Sequence, residues 1–259
     1  MDLGISQKNA IVCGGSQGLG FACAKALAME GVNVTLIARR AEPLALALQQ
    51  LQALNAGEIT AVIGDVSCDK GRDAVLDACP QPDILVNNAG GPPPGDFRDW
   101  RQKEWFDAVN SNMFSAIDMI RRTFDGMAER GFGRIVNITS AAVKSPMAGL
   151  GLSNGARTGL SGWVAGVASE HVAKNVTINN LLPGLFETDR GRGYLAYCAQ
   201  QAKMSVAAYT AQFYTTAPAG RLGMPDEFGA ACAFLCSAMS GYTTGQNIML
   251  DGGAYAGTF

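Results

Sequence analysis

The chain has 259 residues, of which 48% are hydrophobic and 16% are charged. These proportions are ordinary for a soluble globular protein and argue against a disordered chain. The formal net charge is -2, and the longest runs of basic residues are the pairs Arg39-Arg40 and Arg121-Arg122. Because proteins bind nucleic acid through clustered positive charge, a nucleic-acid partner is not expected.

The sequence predicts neither a targeting segment nor a metal site. The first residues lack a basic stretch followed by a long apolar segment, and no apolar run reaches the roughly 18 residues of a membrane span. The seven cysteines stand singly without a C-x-x-C pair, and the single histidine leaves a zinc site short of ligands. We therefore expect a cytoplasmic protein without membrane association, whose cysteines are reduced and packed as small hydrophobic residues.

Short apolar segments rich in β-branched residues alternate with longer helical patterns along the chain. Strands are predicted at 9–13, 32–38, 59–65, 83–89, 133–140, 176–184 and 247–253, and helices between them at 18–30, 41–55, 103–129 and 153–173. Most strands are apolar on both faces, which is typical of a parallel sheet covered by helices on each side. The pattern predicts one α/β domain over residues 1–259, a single-domain Rossmann-like doubly wound fold with a seven-stranded parallel sheet flanked by helices.

The segment "CGGSQGLG" at 13–20 follows the first predicted strand and begins the first predicted helix. Gly14, Gly18 and Gly20 permit a tight turn and a close backbone approach, and a helix N-terminus favours a phosphate group. Glycine triplets also occur in ordinary strand-to-helix turns. Because ligands of doubly wound sheets bind at the carboxyl ends of the strands, we predict that a dinucleotide binds here.

Arg39 and Arg40 follow the second predicted strand, where the adenosine ribose of a dinucleotide would lie. An acidic residue at this point would accept a hydrogen bond from a free 2′-hydroxyl, whereas arginine pairs with a 2′-phosphate in bidentate fashion. The arginine pair therefore favours NADP(H) over NAD(H). The alternative is that both arginines are solvated and bind no ligand.

Several motifs resemble, in order, those of the short-chain dehydrogenase/reductase family, and in character its 3-oxoacyl-carrier-protein reductase branch. "CGGSQGLG" resembles T-G-x-x-x-G-x-G with Cys13 in place of the threonine, and "NNAG" at 87–90 and "LDGG" near the end match further family motifs. Asp65-Val66 resembles the pair that meets the adenine, and Pro183-Gly184 with Thr188 resembles the P-G-x-x-x-T motif that contacts the nicotinamide carboxamide. The resemblance implies that the cofactor is bound by Gly14, Ser16, Gln17, Gly18, Leu19, Gly20, Arg39, Arg40, Asp65, Val66, Asn88, Ala89, Gly90, Arg157, Pro183, Gly184 and Thr188.

The same resemblance identifies Ser140 as the serine that holds the substrate carbonyl and Asn112 as the catalytic asparagine. Counting 13 residues on from Ser140 reaches Ser153, where the family has tyrosine, and four more reach Arg157, where it has lysine. None of the six tyrosines has a lysine four residues later. The implied catalytic set is therefore Ser140, Asn112, Ser153 and Arg157, in which Asn112 holds a water, Arg157 binds ribose and Ser153 is a hydrogen-bond partner.

This departure leaves two functions open. An aliphatic hydroxyl is a much weaker proton donor than a phenol, and loss of a positioned general acid slows a reaction by about 100 to 10,000-fold. One function is an NADP(H)-dependent oxidoreductase that transfers hydride to or from a carbonyl or hydroxyl group, with a 3-oxoacyl thioester as one candidate substrate. The other is a catalytically silent dinucleotide-binding protein that serves sensing or assembly. Lys144, Tyr194 and Tyr197 are either substitute proton donors or ordinary loop and lid residues.

Residues 185–217 are predicted to form a lid on the substrate side. Apolar side chains recur there at roughly helical spacing, and they either close over a hydrophobic substrate or pack within the protein. These side chains are Tyr194, Tyr197, Met204, Tyr209 and Phe213. The prolines of "GGPPPGDF" at 90–97 predict a stiff loop on the opposite rim. The resemblance further implies a small-molecule carbonyl or acyl substrate and a homotetramer or homodimer assembled through the helices at 103–129 and 153–173.

Overall fold

The computed structural model describes residues 2–258. Its strands are β1 Asn9–Cys13, β2 Asn33–Ala38, β3 Ile59–Ile63, β4 Ile84–Asn87, β5 Gly133–Ile138, β6 Val176–Pro183 and β7 Asn247–Leu250. They form one sheet in the order β3-β2-β1-β4-β5-β6-β7, with all neighbours parallel. The predicted fold, a seven-stranded parallel Rossmann-like sheet flanked by helices, is confirmed. The strand order reverses at β1, between β2 and β4, which opens a crevice at the carboxyl ends of these strands.

The helices run between the strands and cover both faces of the sheet. They are α1 Gly18–Met29, α2 Ala41–Gln52, α3 Asp69–Ala78, α4 Gln102–Val109, α5 Ser115–Glu129, α6 Gly151–Val167, α7 Asp189–Gln201, α8 Val206–Thr216 and α9 Pro225–Cys236. A single π-helical turn, Asn110–Phe114, joins α4 to α5. No helix within residues 2–258 is long and apolar enough to cross a membrane.

Burial on both faces explains why the strands read as continuous apolar runs. Ala10 and Val12 of β1 pack with α1, α2 and α9 on one face of the sheet. Ile11 and Cys13 pack with α3, α5 and α6 on the other face. Successive side chains of a strand point to opposite faces, so a strand covered on both sides has no position left for a solvated residue. Full burial of each leucine or isoleucine contributes about 1.5–3 kcal/mol.

The structure corrects several predicted boundaries. The helix predicted at 103–129 is interrupted by the π-helical turn, which contains the buried Asn112. The helix predicted at 153–173 ends at Val167, because the Ala168 carbonyl accepts a hydrogen bond from the Thr244 hydroxyl at 3.0 Å and the chain turns back at Asn175, where φ is 59°. The apolar stripe predicted across 185–217 belongs to two helices, since Lys203 adopts φ 54° and Ser205 caps α8.

Four asparagines form a hydrogen-bonded ladder across β4, β5, β6 and β7. The side-chain amide of Asn87 donates to Asn137, that of Asn137 donates to Asn180, and that of Asn180 donates to Asn247, each at 2.9 Å. The four residues stand directly opposite one another in the parallel register. Buried amides need such partners, because an unpaired one loses its hydrogen bonds to water without replacement. The ladder therefore fixes the register of this half of the sheet.

Candidate active site

A cleft of about 540 Å³ lies at the carboxyl ends of the strands. Segments that follow β1 to β6 line it, which is the location expected for a ligand of a doubly wound sheet. The predicted site residues that line it are Gly14, Ser16, Gln17, Gly18, Leu19, Arg39, Arg40, Asp65, Val66, Asn88, Ala89, Gly90, Ser140, Ser153, Arg157, Pro183, Gly184 and Thr188. Two other predicted site residues, Gly20 and Asn112, lie behind its wall.

The glycine-rich turn between β1 and α1 needs its glycines for conformation and for space. Gly14 and Gly18 both adopt φ 58°, in the left-handed region. A Cβ on Gly14 would lie 2.7 Å from the side-chain nitrogen of Asn88, and one on Gly20 would lie 2.3 Å from the Gly14 carbonyl oxygen. No side chain caps the N-terminus of α1. Its first amides are therefore not satisfied by a cap and suit the phosphate of a ligand.

Arg39 and Arg40 stand at the end of β2 on the rim of the cleft. Arg39 is largely solvent-exposed, and its guanidinium lies 3.9 Å from the Asp65 carboxylate. Arg40 donates to the side-chain oxygen of Gln17 in the glycine-rich turn. The Asp65 carboxylate in turn accepts two hydrogen bonds from Ser67. Most of the guanidinium donors thus remain free to meet a phosphate group at this rim.

Arg157, predicted from the resemblance to stand where the family has lysine, is almost entirely buried, with 9% exposure. Its Nη1 donates to the carbonyl oxygens of Ile138 and Thr139, both at 2.7 Å. Its Nε donates to the Ser153 hydroxyl at 3.1 Å, and its Nη2 makes a long contact of 3.5 Å with the Ala89 carbonyl. Arg157 therefore ties α6 to the ends of β4 and β5, and Nη2 is the nitrogen left to meet a ligand.

Two effects lower the pKa of Arg157 to about 10. Burial disfavours the charged guanidinium, and the positive charge of Arg190 disfavours it further. A pKa near 10 still keeps the side chain protonated at neutral pH. Arg157 therefore places a fixed positive charge at the inner end of the cleft.

Two serine hydroxyls face the same end of the cleft, and each already accepts one hydrogen bond. The Ser153 oxygen accepts from Arg157, and the Ser140 oxygen accepts from the Ala142 backbone amide at 3.1 Å, which caps the 3-10 turn Ala141–Val143. Neither hydroxyl donates to an acceptor within residues 2–258, so each hydroxyl hydrogen is available to donate to a ligand oxygen. The pair can therefore hold a carbonyl or alkoxide oxygen.

Asn112 lies in the π-helical turn behind the cleft. Its amide nitrogen donates to Ser111 at 2.7 Å and reaches the Gly90 carbonyl at 3.4 Å. Its side-chain oxygen is buried without a hydrogen-bond partner in the described residues. A polar cavity of about 10 Å³ adjoins it, also lined by Asn87 and Arg157, and this volume is close to that of a single water.

Tyr194, Tyr197 and Lys144 are the candidate substitute proton donors, and of these three Tyr194 alone lines the cleft. Tyr194 lines the cleft and stacks on Tyr197, with ring centroids 6.3 Å apart. Burial and a hydrogen bond with Cys198 raise the pKa of Tyr194 above its ordinary value, which makes it a weaker acid. Lys144 is not part of the cleft lining, and its ammonium lies 6.0 Å from the centre of the Tyr255 ring.

Arg190 and four apolar residues of the lining were not predicted individually from the sequence, although Arg190, Leu185 and Phe186 fall within the predicted lid at 185–217. Arg190 lines the cleft at the start of α7 and donates to the carbonyls of Gly91 and Pro92, at 3.2 and 2.7 Å. These bonds span 99 and 98 positions of the chain. A local motif gives no sign of such a contact, although Arg190 follows the predicted Thr188 by two residues. Met147, Leu150, Leu185 and Phe186 add an apolar lining.

Comparison with known proteins agrees with this geometry. Residues 8–196 match the family model of the short chain dehydrogenases. The chain is 31% identical to an acetoacetyl-CoA reductase of Cupriavidus necator over 98% of this chain and 100% of that protein. It is 32% identical to the 3-oxoacyl-[acyl-carrier-protein] reductase FabG of Vibrio harveyi, covering 98% of this chain and 99% of the relative.

A solved structure extends the likeness to the whole fold. The L-sorbose reductase of Gluconobacter frateurii, solved with NADPH and L-sorbose, superposes with a TM-score of 0.90 at 28% identity, over 97% of this chain and 98% of that one. Sequence and structure thus agree over nearly the full length. The chain belongs to the short-chain dehydrogenase family of NAD(P)-dependent oxidoreductases.

Proposed function

We propose that the protein transfers hydride between NADP(H) and a carbonyl or hydroxyl group of a small molecule. The observation that carries this proposal is the single cleft in which the glycine-rich turn, the Arg39 and Arg40 rim, and the hydroxyls of Ser140 and Ser153 are all lining residues. A dinucleotide laid along the cleft would have its phosphates at one end and its reactive ring beside a bound carbonyl at the other.

The cofactor end fits NADP(H) by the chemistry of its groups. The uncapped amides of α1 and the Cβ-free surface of Gly14 would hold the diphosphate, and Arg39 with Arg40 would pair with the 2′-phosphate. Pro183, Gly184 and Thr188 would receive the carboxamide. The L-sorbose reductase neighbour was solved with NADPH, which supports this choice over NAD(H). When bound, the dinucleotide supplies or accepts the hydride.

The substrate end supplies orientation and electrostatic stabilisation rather than a strong acid. Ser140 and Ser153 would donate to the substrate oxygen. The positive charge of Arg157 would stabilise the negative charge that develops on this oxygen. Because a serine and an arginine stand where the family would place tyrosine and lysine, and Tyr194 is a weakened acid, the proton for the alkoxide would come from water, with Asn112 holding a water behind the site. Correct orientation alone lowers a barrier by about 7–11 kcal/mol, so turnover is expected to be slow but measurable.

The acetoacetyl-CoA and 3-oxoacyl-carrier-protein reductases among the relatives make 3-oxoacyl thioesters the first substrates to test. Residues 185–217 would act as the lid over the substrate, with Tyr194 forming part of its inner surface. We further propose a homotetramer or homodimer, assembled through the helices that include α5 and α6. Within the chain, residues 1–259 would act as one domain.

One observation favours the alternative of a catalytically silent dinucleotide-binding protein. Arg157 uses most of its donors on backbone carbonyls, as a structural residue would. In that case the cleft would bind NADP(H) for sensing or assembly, without turnover.

The two functions are separated by binding and turnover measurements on purified protein. Fluorescence titration with NADPH and NADH tests the cofactor end. Absorbance of the reduced nicotinamide is then followed with ketones and 3-oxoacyl thioesters, in parallel for the wild type and the double variant Ser153→Tyr, Arg157→Lys. Turnover by the wild type supports the oxidoreductase. Turnover by the double variant alone, with NADPH binding in both, supports the silent protein.

A further inference from the structure

Two arginines converge on one point of the cleft without facing a carboxylate. The Nη2 atoms of Arg190 and Arg157 lie 2.9 and 3.4 Å from the position that a Cβ on Gly91 would occupy. Within residues 2–258, their hydrogen-bond acceptors are backbone carbonyl oxygens and the Ser153 hydroxyl. The absence of a side chain on Gly91 leaves room for both guanidinium groups.

This convergence is electrostatically unfavourable by itself. Arg157 is almost fully buried, and the charge of Arg190 lowers its pKa further. Asp189, the adjacent acidic residue of the cleft, is already paired with Arg192 at 2.7 Å. Two like charges near a low-dielectric interior repel one another, and an anion held between them removes that repulsion.

Both guanidinium groups retain donors for such an anion. Arg190 uses one bond from Nη1 and one from Nη2 on the Gly91 and Pro92 carbonyls, which leaves one hydrogen on each nitrogen. The Nη2 of Arg157 makes only a long contact of 3.5 Å with the Ala89 carbonyl, so it can also donate to an anion. Arginine presents these hydrogens in a planar fork that matches the oxygens of a carboxylate or phosphate.

We propose that Arg190 and Arg157 form a subsite for an anionic group of the substrate, so that the preferred substrates are oxo acids or hydroxy acids rather than neutral carbonyl compounds. The proposal rests on the proposed oxidoreductase function. Arg190 contacts the loop beyond "NNAG", and Arg157 bonds Ser153, which places the pair beside the substrate carbonyl. The glycine-rich turn offers separate donors for the cofactor diphosphate.

The test uses two variants of Arg190 and a matched control outside the cleft. Arg190→Gln removes the charge, and Arg190→Lys keeps the charge but loses the fork. Arg221→Gln is the control, since Arg221 bonds Glu227 and does not line the cleft. For each protein, the NADPH Kd is measured by fluorescence, and the Tm of the NADPH-loaded protein is measured with short oxo acids and with their methyl esters.

The acids, but not the esters, are expected to raise the Tm of the wild type and of Arg221→Gln. Arg190→Gln should weaken acid binding by about tenfold or more, with Arg190→Lys intermediate and the NADPH Kd unchanged. Equal responses to acids and esters overturn the proposal. A weaker NADPH Kd in Arg190→Gln, with the preference for acids retained, also overturns it and assigns the arginine to the cofactor diphosphate.

A failure of the proposed function gives a different result. If the wild type binds neither dinucleotide, the oxidoreductase is refuted. The comparison of acids with esters is then repeated on the unloaded protein, where a rise in Tm that Arg190→Gln abolishes still supports the anion subsite, and no difference overturns it.

Discussion

The two ends of the cleft are built in different ways. The end proposed for the cofactor is built from backbone: left-handed glycines, an uncapped helix terminus and amides that no side chain occupies. The end proposed for the substrate is built from side chains that reach one another across the fold, with Arg157 on α6 and Arg190 on α7 meeting over Gly91. A site built from backbone tolerates few substitutions, because the backbone conformation depends on particular glycines. A site built from side chains can change its chemistry while the fold is retained, and Ser153 and Arg157, proposed to stand where the family has tyrosine and lysine, belong to this second kind.

The largest expected effect comes from adding one methyl group at the cofactor end. In Gly20→Ala the new Cβ would lie 2.3 Å from the Gly14 carbonyl oxygen, so the turn must shift. We expect NADPH affinity to fall by about 100-fold or more, together with a loss of about 1–3 kcal/mol in the free energy of unfolding. Fluorescence titration measures the NADPH affinity, and denaturant unfolding measures the free energy of unfolding. Gly162→Ala on α6 is the control, since its Cβ meets nothing within 4 Å; an equal loss in the control would contradict the argument.

The next effect is a loss of stability at the substrate end. Arg157→Met leaves the carbonyls of Ile138 and Thr139 without the donors that now bind them. We expect the free energy of unfolding to fall by about 1.5–3 kcal/mol, which urea unfolding measures. Arg192→Gln should change it by less than about 0.5 kcal/mol, since exposed ion pairs contribute little. An unchanged free energy of unfolding in Arg157→Met would show that the arginine is present for ligand binding alone.

A third effect concerns the choice of cofactor. The double variant Arg39→Ser, Arg40→Ser removes both guanidinium groups from the rim at the end of β2. If they bind the 2′-phosphate, the Kd for NADPH should rise by about 10 to 100-fold while that for NADH stays within about twofold. Fluorescence titration of both dinucleotides measures the difference. Equal weakening of both, or tighter NADH binding in the wild type, would contradict NADP(H) specificity.

The smallest effect lies at the start of α9, beyond the lid segment. Glu227 accepts hydrogen bonds from Arg221 and from the Met224 amide, which lower its pKa from 4.5 to about 2. A carboxyl whose pKa is lower in the folded state contributes stability that is present above its unfolded pKa and lost as the pH falls through its folded pKa. We therefore expect a slightly lower Tm for Glu227→Gln at pH 7 and a difference that shrinks as the pH falls from about 4.5 toward 2. Asp226→Asn, beside it on α9, provides the comparison; a difference that grows in acid would contradict the assignment.

The sequence predicted the fold and the tight glycine-rich turn after β1, because both leave local patterns. Strands such as Ile84–Asn87 are apolar on both faces, and the glycine spacing at 14–20 reports a single turn. The interruption of the helix at Asn110–Phe114 leaves no comparable sign, because a π-helical turn depends on how the side chains pack. Arg190 was missed for a related reason: its partners are 98 and 99 positions away, and only the folded chain brings them together. Ser205, which caps α8, is a residue type that favours a helix start, and it divides the segment that the apolar spacing at 185–217 treats as one stripe.

The four linked asparagines make strands β4 to β7 a cooperative unit. Their amide dipoles point one way, from Asn87 toward Asn247 at the edge strand, so each bond polarises the next. Shifting either β5 or β6 by one residue would break two of these hydrogen bonds and turn the asparagine amide to the opposite face of the sheet. Strands β4 to β7 are therefore expected to assemble in one cooperative step during folding. An innermost position such as Asn137, which has a partner on each side, should accept substitution less readily than Asn247, which has one.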